Sequence, residues 1–199
     1  MQHLIVLAHP RADSFTRRVA QAYMEPLQAA GHTVILRDLY AMHFNPVAST
    51  EDLAAMRTGR VADDVQVEMD LVRQSDAIAF IAPVWWISTP AILKGWIDRV
   101  LVFGFAYDHG PDKLVRGLLK DKLGIVFTSS GSTQQEFEET GKMSAIRTMW
   151  GIGTVEFCAI RLLEHVHFAP VGSRSTHEII NSYLTKARDT AIRHFPPGR

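Results

Sequence analysis

The segment AIAFIAPVWWISTPAILKGWIDRV, residues 77–100, decides the fold. Its first seven residues are apolar throughout, which is typical of a strand buried on both faces of a parallel sheet. Residues 90–102 then carry an apolar stripe at helical spacing, with Ile92, Trp96 and Val100 on one side. A buried strand followed by an amphipathic helix is a βα unit, so this segment predicts an α/β architecture.

The same alternation of apolar runs and helical segments recurs on both sides of this unit. Predicted strands cover residues 3–9, 33–39, 77–83, 122–129 and 164–171. Predicted helices cover residues 14–30, 51–56, 65–74, 90–102, 144–157 and 176–193. We therefore expect one domain over residues 1–199, a flavodoxin-like, doubly wound α/β fold whose five-stranded parallel sheet has the order 2-1-3-4-5.

Composition excludes several classes of protein. The 21 Lys and Arg residues balance the 21 Asp and Glu residues, which argues against nucleic acid as a partner. The single cysteine, Cys158, cannot form an intramolecular disulfide, and residues 1–6 show no basic leader, so we expect a cytoplasmic protein. The longest uncharged run, residues 77–93, contains two prolines, and we expect no stable membrane insertion.

Three loops follow strands 1, 3 and 4, and in such a sheet they meet at the ligand site. The first, residues 9–16, leads into a helix whose free N–H groups suit a phosphate, aided by His9, Ser14 and Thr16. An ordinary helix cap would explain these residues equally well. This loop therefore predicts an anion site only in combination with its neighbours.

The other two loops supply an aromatic wall and backbone donors. Trp85 and Trp86 stand between two prolines, and we expect one to point inward and one toward a planar ligand. Residues 128–133 are small and polar, so their N–H groups can approach a ligand closely. Each loop has a purely structural explanation, but all three fall where a single site would form.

Other chemistries lack their motifs. There is no G-x-G-x-x-G after strand 1, no G-x-x-x-x-G-K-[ST] and no G-x-S-x-G. A phospho-receiver domain needs acidic residues at the end of strand 1, where this chain has Ala8, His9 and Pro10. His165 and His167 face one side of a strand, but no third ligand is evident, so we predict no metal site.

Longer blocks of sequence resemble a known family. They are LIVLAHP with SFT near the start, DLYAMHFNP (38–46), WWISTPAILKGWIDRV (85–100) and FAY (105–107). Together they resemble the flavodoxin-like NAD(P)H:quinone oxidoreductases over most of the chain. The resemblance implies a bound flavin, FAD or FMN, that NAD(P)H reduces and a quinone or a similar nitro or azo compound reoxidises, in a homodimer. FAD is favoured because residues 38–46 resemble the FAD-binding branch.

The resemblance also implies which residues form the site. Those bound to the flavin would be His9, Ser14, Phe15, Thr16, Pro83, Val84, Trp85, Trp86, Ile87, Thr128, Ser129, Ser130 and Gly131. Tyr107 and His109 would line the substrate pocket as catalytic residues, commonly from the partner subunit. Apolar contacts between subunits would come from Trp96, Phe103 and Phe105.

This chain departs from the mammalian members in one functional block. Those proteins follow their T-T-G-G with a tyrosine and a histidine that relay protons, whereas here TSSG is followed by QQEF, residues 134–137. Phe137 can replace the ring but not its hydroxyl, so the proton would come from water or His109. Two alternatives stay open, a flavodoxin-type electron carrier and a regulatory flavoprotein subunit of a membrane transporter.

Overall fold

A five-stranded parallel sheet organises the chain, of which the computed structural model describes residues 1–58 and 60–197. The strands are β1 (Gln2–Leu7), β2 (Thr33–Asp38), β3 (Ala77–Pro83), β4 (Tyr107–His109), β5 (Val115–Gly117), β6 (Leu123–Ser129) and β7 (Arg161–Phe168). The helices are α1 (Phe15–Ala29), α2 (Thr50–Thr58), α3 (Asp63–Gln74), α4 (Ala91–Val100), α5 (Gln134–Glu139), α6 (Lys142–Trp150) and α7 (His177–His194). The sheet order β2-β1-β3-β6-β7 confirms the predicted order 2-1-3-4-5.

Both faces of the sheet are covered because its residues alternate between two apolar clusters. Leu4 and Val6 of β1 belong to the cluster that includes α3 and α4, whereas Ile5 and Leu7 pack with α1 and α7. Each of these four side chains is at most 1% exposed. Burying a side chain of this size contributes roughly 1.5–3 kcal/mol. The helices are thereby held on opposite faces, and the loops at the carboxyl ends of the strands are left to form a site.

The largest differences from the predicted elements lie in the second half of the chain. The helix predicted over residues 144–157 is α6, followed by a π-helical segment (Gly151–Val155) and a 3-10 turn (Glu156–Cys158). Glycines at 151 and 153 favour this change because glycine weakens an α-helix. Strand β7 begins and ends three residues earlier than the predicted 164–171. Helix α5 and the antiparallel β4–β5 hairpin were not predicted.

A buried arginine of α4 binds the loop at Asn45 and helices α2 and α3. The Arg99 guanidinium, 5% exposed, bonds Asp52 (Nε to Oδ2, 2.9 Å), Asp64 (Nη1 to Oδ2, 2.6 Å) and the Asn45 carbonyl (Nη1, 2.9 Å). Burial alone would raise the pKa of Asp52, but the hydrogen bonds from Arg99 and Ser49 lower it. Removing one partner of such a buried pair typically costs 3–5 kcal/mol. This cluster ties α2 and α3 to α4.

Candidate functional site

The three predicted loops enclose one cavity of about 410 Å³ at the carboxyl ends of β1, β3 and β6. It is lined by His9, Arg11, Asp13, Ser14, Phe15, Thr16, Pro83, Val84, Trp85, Ser129, Ser130, Gly131, Val171 and Gly172. A volume between about 300 and 1,000 Å³ is usual for small-molecule sites. Ten of the thirteen residues predicted to bind a flavin are therefore brought together.

The amino end of α1 forms one side of this cavity. Ser14 caps the helix, and its Oγ accepts the Arg17 N–H at 3.2 Å. The first N–H groups of a helix have no partner inside the helix, and they carry the positive end of its dipole. The first turn of α1 contains no acidic side chain that would neutralise them. This side of the cavity therefore suits a phosphate or another anion.

His9 adds an oriented donor to the same side. Its Nδ1 accepts the backbone N–H of Arg11 at 3.1 Å, so the neutral ring carries its proton on Nε2. Burial lowers the pKa of His9, which favours this neutral form. Arg11 pairs with Asp13 at 2.9 Å, and because both side chains are more than 70% exposed the pair contributes little to stability.

The tryptophan loop is a tight turn with left-handed backbone at its tip. Trp85 and Ser88 exchange two backbone hydrogen bonds, of 3.0 and 2.9 Å, around Trp86 (φ 52°) and Ile87 (φ 57°). A type I′ turn of this kind normally carries Gly or Asn, and a β-branched residue at positive φ is strained. The turn directs Trp85 into the cavity wall, with its ring 6.3 Å from that of His9.

The expectation that one tryptophan points inward is wrong. Trp85 is 40% exposed and Trp86 is 100% exposed, while Ile87 packs with Val84 against the apolar cluster around Phe137. Residues alternate between two sides only in extended backbone, and the left-handed turn interrupts that alternation. Trp86 and Ile87 therefore do not line the cavity, and their contact with a flavin stays a prediction.

The loop after β6 is held by its own backbone and by a half-buried histidine. Ser130 donates its N–H to the Phe168 carbonyl (3.1 Å), and its own carbonyl accepts the Val171 N–H (2.7 Å). Its Oγ lies 3.0 Å from His167 Nε2. Thr128, predicted as a flavin contact, is 2% exposed and faces His165 and His167 instead of the cavity.

The two predicted catalytic residues lie outside this cavity within a single chain. Tyr107 lines a second groove of about 440 Å³, and His109 is exposed on the β4–β5 hairpin. The groove is lined by Ala48, Leu53, Ile97, Asp98, Leu101, Val102, Tyr107, Gly153, Thr154, Phe157 and Cys158.

Trp96, predicted as a subunit contact, is fully buried and donates its Nε1–H to Glu68 Oε2 at 2.9 Å. That prediction is wrong because the indole is part of the core.

Four residues that line the cavity were not predicted. Arg11 and Asp13 stand within the recognised first loop, so their position alone could have indicated them. Val171 and Gly172 follow β7, and they were missed because that strand was predicted to continue to residue 171.

In the part of the chain that the structure describes, no three His, Cys, Asp or Glu side chains are placed to hold a metal ion. None of the described helices has the length and apolarity needed to cross a membrane.

Comparison with known proteins agrees with this fold. A family model described as the flavodoxin-like fold matches residues 1–191, and the chain belongs to that family. An uncharacterised NAD(P)H oxidoreductase of Haemophilus influenzae is 38% identical over 96% of this chain and 98% of its own length. The human ribosyldihydronicotinamide dehydrogenase [quinone] is 35% identical over 84% of this chain and 81% of its own. The structure of an NAD(P)H:quinone oxidoreductase from Methanothermobacter marburgensis superimposes with a TM-score of 0.87, at 31% identity, over 96% of this chain and 97% of its own.

Proposed function

We propose that this chain is a flavin-dependent NAD(P)H oxidoreductase that passes two electrons to quinones or similar acceptors, such as nitro and azo compounds. The observation that carries the proposal is a single cavity with the amino end of a helix, free of acidic side chains in its first turn, on one side and an indole on another. A flavin nucleotide has the two matching parts, a phosphate and a planar ring system. The names of the quinone-reducing relatives support the same activity.

The lining residues would divide the flavin between them. The amino end of α1 and His9 would bind the phosphate, while Pro83, Trp85 and Ser130 would enclose the ring. Bound there, the flavin supplies hydride and electron transfer, and the protein contributes placement and electrostatics. Trp85 would exclude water from one side of the ring. FAD is the form we propose first, on the resemblance of residues 38–46, with FMN as the alternative.

We further propose a homodimer in which Tyr107 and His109 of one protomer line the acceptor pocket of the other. The apolar groove beside Tyr107 supports this arrangement, because Leu53 is 59% and Phe157 41% exposed there. Phe157→Glu should convert the dimer to monomers in sedimentation velocity and lower acceptor turnover.

A cytoplasmic location is proposed because the one cysteine, Cys158, is a buried free thiol.

One anaerobic titration tests the proposed activity. The purified protein, as isolated and after incubation with FAD or FMN, is mixed with NADPH or NADH, and a quinone is then added. We expect a yellow protein that bleaches with the nicotinamide and regains its colour with the quinone. Protein that binds neither flavin would contradict the proposal. Flavin that binds but does not bleach would favour the electron carrier or the transporter subunit, and co-purification with a membrane partner would identify the latter.

A further inference from the structure

A chain of part-buried hydrogen bonds leads from strand β7 to the cavity. His165 Nε2 lies 2.8 Å from Thr128 Oγ1, which lies 2.9 Å from His167 Nδ1, and His167 Nε2 lies 3.0 Å from Ser130 Oγ. Ser130 lines the cavity, and the other three side chains do not. The sequence marked these two histidines only as a same-side pair without a third metal ligand. The structure gives them a different set of partners.

The surroundings keep the two histidines of this hydrogen-bonded chain neutral as long as the cavity holds no negative charge. Burial, together with the smaller effect of Arg147 of α6, lowers the pKa of His167 to about 4. The pKa of His165 is also lowered to about 4 by burial, by His167 and by Arg147. Helix α5 presents the ring of Phe137, stacked 4.7 Å from His167, and Lys142 of α6 lies 6.0 Å from that ring. No carboxylate among the described residues bonds either imidazole.

Quinone reduction requires a proton that this hydrogen-bonded chain of side chains can supply. In NAD(P)H + H⁺ + quinone → NAD(P)⁺ + quinol, the hydride brings two electrons and one proton, so one more proton must be supplied. Hydride transfer also brings one negative charge into the cavity. A negative charge close to an imidazole favours its protonated form. The tyrosine and histidine that relay protons in mammalian members have no counterpart in this sequence.

We propose that His167 holds this additional proton and delivers it through the Ser130 hydroxyl. To load the site, a solvent proton bonds to Ser130 Oγ while the hydroxyl hydrogen of Ser130 passes to His167 Nε2. To discharge it, the same two transfers run in reverse, with the acceptor in place of water. The inference rests on the proposed function.

Thr128 and His165 orient the ring that holds the proton. In the loaded state His167 Nδ1–H donates to Thr128 Oγ1, and the Thr128 hydroxyl donates to His165 Nε2. Both N–H groups of the imidazolium are then bonded, which stabilises a cation that is partly removed from water. Ser130 is the group that meets the ligand, and His167 acts through it as a positioning residue that carries the charge.

The two half-reactions separate this role from a purely structural one. In His167→Gln, which keeps a polar side chain of similar reach but does not titrate, we expect NADPH to bleach the flavin within about 3-fold of the wild-type rate. Reoxidation by a quinone should slow about 100-fold, a typical loss for general acid catalysis. Reoxidation by ferricyanide, which takes an electron and no proton, should stay within about 3-fold. The pH dependence of quinone reoxidation should disappear in the variant.

Two further variants keep the test decisive. Ser130→Ala removes the delivery step but leaves the His167 ring in place. If His167→Gln fails to retain flavin, flavin-loaded Ser130→Ala should be reoxidised more slowly by the quinone, measured against its own reoxidation by ferricyanide. His32→Gln changes the other histidine pair, which is remote from the cavity, and should leave both reoxidation rates unchanged. If flavin-loaded His167→Gln is reoxidised by the quinone near the wild-type rate, this inference alone is overturned. If His167→Gln does not retain flavin, the same result in Ser130→Ala overturns it. A wild-type protein that does not bleach would overturn the proposed function, and this inference with it.

An NMR measurement on the flavin-free protein tests the hydrogen-bonded chain of side chains itself. In ¹⁵N NMR of the flavin-free protein, the rings of His165 and His167 should stay neutral down to about pH 4. Ser130→Ala should shift the ring nitrogens of His167 and leave those of His3 unchanged. Titration of His167 near pH 6.5, the ordinary value, would show that the hydrogen-bonded chain does not form.

Discussion

Two pairs of histidines, one buried and one half-buried, lie at opposite ends of the sheet. At the amino ends of β1 and β2, His3 Nε2 lies 2.9 Å from His32 Nδ1. Near the carboxyl end of β7, His165 and His167 both bond Thr128. Burial is the main cause of the lowered pKa in both places, to about 4 for His3 and also for His167. The direction and main cause of the pKa shift are alike in the two pairs, although His3 and His32 are buried and His165 and His167 only half-buried.

What lies beyond each pair differs. His3 packs edge-on against Phe195, with ring centroids 4.5 Å apart, and its Nδ1 is buried without a partner. His167 continues through Ser130 into the cavity. A perturbed pKa is therefore a poor indicator of function unless the group connects to a place where charge or protons change. The predictions below compare changes at the cavity with matched changes elsewhere.

The largest effect is expected from Trp85→Ala. The indole forms a cavity wall but is 40% exposed, so its loss should weaken flavin binding about 10- to 100-fold, or about 1.4–2.7 kcal/mol, without unfolding the domain. Flavin fluorescence titration measures the Kd. The adjacent Trp86→Ala should change it less than 3-fold, because that ring is fully exposed outside the cavity. Equal losses in both variants would contradict the assignment of the wall to Trp85.

A smaller effect, shared by both histidine pairs, is loss of stability in mild acid. The folded pKa is lowered to about 4 for His3, His165 and His167, while the unfolded value is near 6.5. Between these values the unfolded state binds more protons, so the free energy of unfolding falls as pH drops from about 6.5 to 4. Each of the three histidines should lower the free energy of unfolding by about 2 kcal/mol between pH 7 and pH 5.

Denaturant unfolding at both pH values checks this, with His3→Gln and His167→Gln as paired variants. Each substitution should remove a similar part of the pH dependence, although only His167→Gln should change quinone reoxidation. A pH dependence that neither variant alters would mean that other groups cause the loss of stability.

The sequence was sufficient to predict the sheet and most of the cavity, since both depend on local patterns. Continuous apolar runs mark strands that are buried on both faces, and the topology then brings three loops together. The positions of Trp86 and Ile87 could not be predicted, because a left-handed turn without glycine gives no local signal. Thr128 was misplaced for another reason: its hydroxyl bonds histidines on a neighbouring strand, and that contact depends on the β6–β7 register.

The register also decides which histidines are useful. Pairing of Thr128 with His167 across β6 and β7 is what completes the path to Ser130. A shift by one residue would turn His167 to the opposite face of the sheet. The sequence places two histidines on one side of a strand, but only the neighbouring strand connects them to the cavity.

The smallest effect compares two helix caps that are chemically equivalent. Ser14 Oγ accepts the Arg17 N–H at 3.2 Å, and Thr176 Oγ1 accepts the Ile179 N–H at 3.3 Å. Replacing either residue by alanine should cost about 1 kcal/mol of stability, the usual worth of an N-cap. Ser14→Ala should also weaken flavin binding a few-fold, because Ser14 lines the cavity and Thr176 does not. If Thr176→Ala weakened flavin binding equally, the effect would reflect general loosening of the fold, and the phosphate would have to be assigned to another part of the cavity than the amino end of α1.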